Sequence, residues 1–269
     1  VKENSANQTD SGLERDYITQ WSYGIGETFT LLVPNTKGGA SVPLAMNEKA
    51  MENANPIYMN IYRQLGQYWG EQPGTSGPVY VGAFVMFLFV LGLFIVKGPM
   101  KWALLVATVL SILLSWGKNF MGFTDFFIDY VPMYSKFRTV SSILVVAEFT
   151  IPLLAMLALK EWMEHPQWLK ERSKDFLISF GLTGGLALLF ALAPKLFFSS
   201  YVSTMEMHAL QGIPADQLAP LLANLEEVRM SMFTSDAWRS FFIILIGVVL
   251  LWCYSAGKLK PLALVGSLI

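Results

Sequence analysis

The segment Val140-Ser141-Ser142-Ile143-Leu144-Val145-Val146-Ala147-Glu148-Phe149-Thr150-Ile151-Pro152-Leu153-Leu154-Ala155-Met156-Leu157-Ala158-Leu159 decides the fold class. A helix of about 20 mostly apolar residues crosses about 30 Å of hydrocarbon, and this run holds a single ionisable side chain. Four further stretches approach the same description, at about 79–96, 102–116, 176–193 and 241–256, and a sixth begins at residue 262 and is cut short. The second and the fifth are brief by strict count, so flanking Trp, Gly or Ser, or a protein-lined cavity, must complete their crossing. The expected architecture is an all-α polytopic membrane protein with five complete transmembrane helices, a truncated sixth and large extracytoplasmic loops.

Composition agrees. Charged residues make up 14% of the 269 positions and hydrophobic ones 54%, with a mean hydropathy of +0.45. An ordinary soluble domain carries about 25% charge, so this chain cannot cover itself with charged groups. The apolar content excludes disorder, and a net charge of -1 argues against a nucleic-acid partner. Cys253 is the single cysteine and permits no internal disulfide. His165 and His208 lack ligand spacing around them, so the sequence indicates no metal site and no cofactor. A polar start at Val1 without a signal peptide, and a finish at Leu268-Ile269 inside an apolar run, lead to the expectation of a fragment of a longer protein. The sequon Asn7-Gln8-Thr9 carries meaning only in a eukaryotic secretory setting.

The scarce charges also set an orientation. The short turns at 97–101, 160–175 and 257–261 hold eight of the nineteen basic residues in 26 positions. Segments 1–78, 117–139 and 194–240 hold the other eleven in 148 positions, together with fifteen of the twenty acidic residues. The positive-inside rule assigns the turns to the cytoplasm and the three long segments to the outside. The chain thus divides into an extracytoplasmic segment with an outer helix over 1–78 and a transmembrane region over 79–269, with recognition or chemistry expected in the outer loops.

Several outer residues are candidates for that chemistry. Glu27 follows Trp21-Ser22-Tyr23-Gly24-Ile25-Gly26; Phe29 and the lack of a βαβ pattern rule out a dinucleotide fingerprint there. It reads as a structural anchor or as a catalytic base. Residues 48–70 suggest an outer helix, broken near Pro56, whose aromatics pack on the membrane face. Glu71 centres the Gly/Pro-punctuated run from Trp69 to Pro78, and reads as a solvated rim charge or a ligand for a sugar hydroxyl or cation. Asp125 and Asp129 would share one helix face, as a solvated surface or an acid pair. Tyr134, Lys136 and Arg138 lead directly into the third span, where a helix N-terminus disfavours positive charge, so either an anion or lipid headgroups should accompany them. Glu148 falls near mid-depth of that span, four residues before Pro152, and calls for a cavity or a partner. Leu218, Leu221, Leu222, Leu225 and Val228 form an amphipathic stripe opposed by Asp216, Glu226, Glu227 and Arg229, lying on the membrane or against the other outer loops, with Ser235 or Asp236 capping the fifth span.

With those residues in view, the chain resembles the bacterial YfhO family of membrane proteins in its Bacteroides-like form. The likeness rests on Gln20-Trp21-Ser22-Tyr23-Gly24, on residues 69–82, and on Tyr134-Ser135-Lys136-Phe137-Arg138. The resemblance implies a GT-C-like glycosyltransferase of the bacterial cytoplasmic membrane, moving a sugar from a polyprenyl-phosphate carrier to an envelope glycopolymer on the outer face. It also implies that Tyr134, Lys136 and Arg138 belong to a basic outer loop that takes the carrier phosphate, and that the catalytic carboxylate lies in a first outer loop outside this sequence. Glu27 and Glu71 receive no role from the family and remain weak catalytic candidates. A transporter or flippase for a lipid-linked or anionic solute would use Glu148, Pro152 and Arg138 instead. A non-catalytic membrane scaffold needs none of them.

Overall fold

The computed structural model describes residues 8–9 and 12–268. Val1, Asn7 of the sequon and Ile269 lie outside the described residues. The architecture is that of a predominantly helical, multi-pass membrane protein. Its main helices are α1 (Ala83–Ile95), α2 (Met100–Ser115), α3 (Met121–Tyr130), α4 (Val145–Glu164), α5 (Ser173–Leu192), α6 (Ala215–Ser255) and α7 (Pro261–Leu268). Before them come a two-residue antiparallel ladder, Gln8–Thr9 with Gly12–Leu13, and a series of single helical turns.

Three helical stretches are long and apolar enough to cross a membrane: Val140–Glu164, Ser173–Leu192 and Ala215–Ser255. Among the described residues, the five complete spans expected from hydropathy are not all matched by helices of that length. Helices α2 and α3 amount to a fourth crossing only as a broken pair, because they meet at a bend of 108°. Helix α1 has 13 residues, about 20 Å of rise, and falls short of a bilayer by itself. It starts late because Gly82 adopts φ 102°, a left-handed conformation that ends the extended segment before it. Two hydrogen bonds tie that segment to the protein around it. The Thr30 hydroxyl donates to the Val79 carbonyl at 2.9 Å, and the Ala83 N–H donates to the Tyr80 hydroxyl at 3.0 Å.

Helix α1 is the centre of the bundle. Phe87 and Leu91 are fully buried, and the helix packs chiefly on α4, then on α5 and α6. Wrapped in protein, it has no need to meet lipid along its whole length. Helices α2 and α4 are tied by a 2.6 Å hydrogen bond between the hydroxyls of Thr108 and Thr150, a polar contact of the kind that joins helices where water is absent. The outward faces of α2, α4, α5 and α6 expose Val106, Phe149, Met156, Leu182 and Ile246, a distribution suited to lipid.

The basic turns gather at one end of the bundle, where the Tyr254 hydroxyl donates to the Met163 carbonyl and the Trp162 indole donates to Ser255. The three long segments meet at the other end. The Tyr23 N–H donates to the Ser115 carbonyl at 2.8 Å, and the Asn119 amide donates to the Tyr23 carbonyl. Arg15 bridges Asp125 and Asp129 with both guanidinium nitrogens, so the shared face expected of the two acids is paired.

Helix α6 runs unbroken for 41 residues, about 60 Å, and merges the amphipathic stripe with the fifth span. No cap separates them; the Asp236 carboxylate accepts the Asn35 N–H instead. The stripe lies against the other outer segments. Leu221, Leu225 and Val228 form a second core with Leu44, Ala50 and Tyr62, so Tyr58 and Tyr62 pack against α6. That segment consists of the short turns Glu48–Met51, Pro56–Tyr58 and Met59–Tyr62. Arg229, assigned above to the polar face, is fully buried. It donates to both carboxylate oxygens of Glu206 and to the carbonyls of Tyr201 and Gly66, and its guanidinium lies 5.3 Å from the Trp69 ring centre.

Candidate functional site

The outer end of the bundle brings Glu27, Lys37, Tyr68 and Glu71 together. Glu27 opens a short 3-10 turn (Gly26–Leu31), and its N–H donates to the Gly24 carbonyl at 2.9 Å. The turn curls its side chain back on itself, so that one carboxylate oxygen accepts the Gly24 N–H at 2.6 Å. The same oxygen accepts the Glu71 N–H at 3.2 Å, and the other accepts the Tyr68 hydroxyl. Tyr68 is itself held by the Gln72 N–H at 3.0 Å. The two glutamates, 44 positions apart in sequence, thus belong to one site. Both Gly24 and Gly70 are needed for the fit, because a Cβ at either position would collide with the Glu27 carboxylate.

Lys37 completes the cluster. It ends the 3-10 turn Pro34–Lys37, and its carbonyl accepts the Trp69 N–H at 3.0 Å, which ties the two loops together. Its ammonium lies 5.1 Å from the Phe198 ring centre. Burial pushes the Lys37 pKa down, while the charges of Glu27 and Glu71 pull it back up. Burial pushes the Glu27 carboxyl up, against the opposing effect of its three hydrogen bonds and of Lys37. The Tyr68 hydroxyl is raised by burial and by the neighbouring Glu27.

The cluster has a buried side and an open side. Glu27 is 1% exposed, whereas Glu71 is exposed at the margin of an open cleft of about 690 Å³. Lys37, Trp69, Phe29, Phe198 and Thr204 line the same cleft. A cation and a carboxylate therefore face a space walled by aromatic rings, the chemistry of a site for a polar ligand with apolar faces. Glu27 serves as the internal brace.

The basic-loop residues divide between two grooves. Tyr134 and Arg138 line an apolar groove of about 310 Å³ with Phe137, Ile143 and Val145, at the head of α4. Lys136 lines a different groove, with Arg15 and Asp129. Arg138 donates to the Tyr17 hydroxyl at 2.5 Å, and its guanidinium lies 5.4 Å from that ring's centre. Glu148 lies nearer the outer end of its span than mid-depth. It is exposed on the first turn of α4, because Val140–Leu144 ahead of it is a 3-10 segment and the α-helix begins only at Val145.

Lys37, Tyr68 and Arg15 are not singled out by the sequence, since nothing in their neighbouring residues marks them. At the opposite end, Glu161, Glu164 and His165 each bring one ligand-type atom within 4.8 Å of the others, a grouping that the sequence reading of His165 overlooked. The His165 ring stacks on Trp168 at 4.4 Å, and its Nδ1 is 3.0 Å from the Glu161 carbonyl oxygen. No known family, curated protein or solved structure matches the chain.

Proposed function

We propose that the chain is part of an integral membrane glycosyltransferase that moves a sugar from a polyprenyl-phosphate carrier to a cell-envelope polymer on the outer face of the bacterial cytoplasmic membrane. The observation that carries this reading is the convergence of Glu71 and Lys37 on one aromatic-walled outer cleft, with Glu27 behind them. In the reaction, an acceptor hydroxyl oxygen bonds to the anomeric carbon as the bond from that carbon to the carrier phosphate breaks. Glu71 takes the hydroxyl proton, and Lys37 balances the negative charge that the departing phosphate gains. Phe197, 37% exposed in the same cleft, supplies an apolar face for a sugar ring. Arg138, at the rim of its apolar groove, supports a second contact to the lipid carrier. A transporter or flippase reading would rest instead on Glu148 and Pro152 of α4, with Arg138 at its outer end.

The test is Glu71→Gln in the intact membrane protein. Loss of a general base lowers transfer by about 10²-fold or more, with membrane insertion unchanged. Envelope glycans identical to those of the parent strain would overturn the assignment.

A further inference from the structure

A second polar site lies where α6 leaves the membrane. Residues 240–257 contain no charged side chain, whereas Asp236 and Arg239 stand in the turn just before them. Trp238 and Phe242, stacked at 5.7 Å and both exposed, mark the same level in the manner of an interfacial aromatic belt. Here Asn35, Asn47, Lys49, Ser235, Asp236 and Arg239 enclose a pocket of about 290 Å³.

The pocket holds both signs of charge in fixed places. Asp236 is 7% exposed, with one oxygen accepting the Asn35 N–H at 3.1 Å and the other 3.4 Å from the Arg239 guanidinium. Each carboxylate oxygen can accept more than one hydrogen bond, so Asp236 keeps acceptor capacity toward the pocket. Lys49 and Arg239 bring two cations, and Lys49 donates to the Ser235 hydroxyl. An anion suits the two cations, and a hydrogen-bond-donating ammonium suits the carboxylate between them.

We infer that this pocket binds the headgroup of a phospholipid carrying both a phosphate and a primary ammonium, with the phosphate on Lys49 and Arg239, the ammonium on Asp236, and the acyl chains along Trp238 and Phe242. The site is separate from the Glu71 cleft and does not depend on its activity.

The test compares thermal unfolding of the purified protein in detergent with added phosphatidylethanolamine, phosphatidylcholine or phosphatidylglycerol. Only the first offers ammonium N–H donors to Asp236, so it should bind about tenfold more tightly than phosphatidylcholine, the factor expected of a hydrogen bond between charged groups. Asp236→Asn should erase that preference. Lys49→Ala and Arg239→Ala, which alter exposed side chains, should weaken all three lipids together. Soluble glycerophosphoethanolamine should compete weakly, since it lacks the chains; competition equal to that of the lipid would assign a free small molecule instead. Equal stabilisation of the unaltered protein by all three lipids, or preference for phosphatidylglycerol, would overturn the proposal whether or not Asp236→Asn folds.

Discussion

The Glu71 N–H donates to the Glu27 carboxylate at 3.2 Å, so the buried acid fixes the backbone of the exposed one. That division separates their expected behaviour. Glu27→Ala leaves the Gly24 N–H, the Glu71 N–H and the Tyr68 hydroxyl without their acceptor, at a cost of about 1–3 kcal/mol for each donor that water cannot reach. Tyr68→Phe removes one donor only, and its cost should be nearer 1 kcal/mol. Glu71→Ala should leave stability almost unchanged. Thermal unfolding in detergent ranks the three, and a Glu71→Ala loss as large as that of Glu27→Ala would reverse the roles given to the two acids.

Gly70 tests the same brace without touching a charge. A methyl group there would overlap the Glu27 carboxylate and the Tyr68 hydroxyl. Gly70→Ala should therefore reduce sugar transfer. Gly77→Ala, at a position with open space around it, should be silent. Equal activity of both variants would show that the position of Glu27 does not matter.

The brace also predicts a pH dependence. Burial raises the Glu27 pKa above its ordinary value near 4.5. The folded state therefore binds this proton more tightly than the unfolded chain does, and stability gains as pH falls through the folded pKa toward 4.5. As pH rises through that window, the contribution is lost. Unfolding temperatures measured as the pH is raised from about 4.5 should carry this slope, and Glu27→Gln should flatten it. An unchanged slope in the variant would place the titrating group elsewhere.

The long apolar helices were legible because hydropathy and length are local properties; α4, α5 and the inner part of α6 follow the runs that announce them. What hydropathy could not show is how a run ends. Residues 79–82 continue into α1 without a polar break, but the φ of Gly82 and the partners Thr30 and Tyr80 keep them extended. Nor could the stripe from Leu218 to Val228 reveal that Arg229 turns inward, because its carboxylate lies 23 positions away at Glu206. The site was half legible for the same reason. Glu27 and Glu71 stand out as acids among glycines, yet their meeting depends on a loop closure spanning 44 residues.

Arg229 offers a test of that inward turn. With Glu206 14% exposed and the arginine fully buried, Glu206→Gln leaves a buried cation without its counter-charge and should cost about 3–5 kcal/mol. Arg229→Met with Glu206→Gln removes both charges and should recover a large part of the loss. If Glu206→Gln unfolds at the temperature of the unaltered protein, the pair contributes nothing to joining α6 to the outer loops.

Arg138 is the last residue whose role can be separated by experiment. Its guanidinium is exposed at the rim of the apolar groove, with Tyr17 occupying one nitrogen and one face. The remaining donors are the ones that would meet a carrier phosphate, and they lie outside the Tyr17 contact. Tyr17→Phe keeps the ring beneath the guanidinium and removes a single hydrogen bond, so transfer should fall by less than about tenfold. Arg138→Ala should abolish transfer with insertion intact, and Arg138→Lys, which loses the planar fork, should restore it only in part. The carrier's affinity, measured with a short-chain polyprenyl phosphate, should follow the same order. Normal transfer by Arg138→Ala would remove the groove from the reaction and leave the carrier phosphate to the Lys37 cleft.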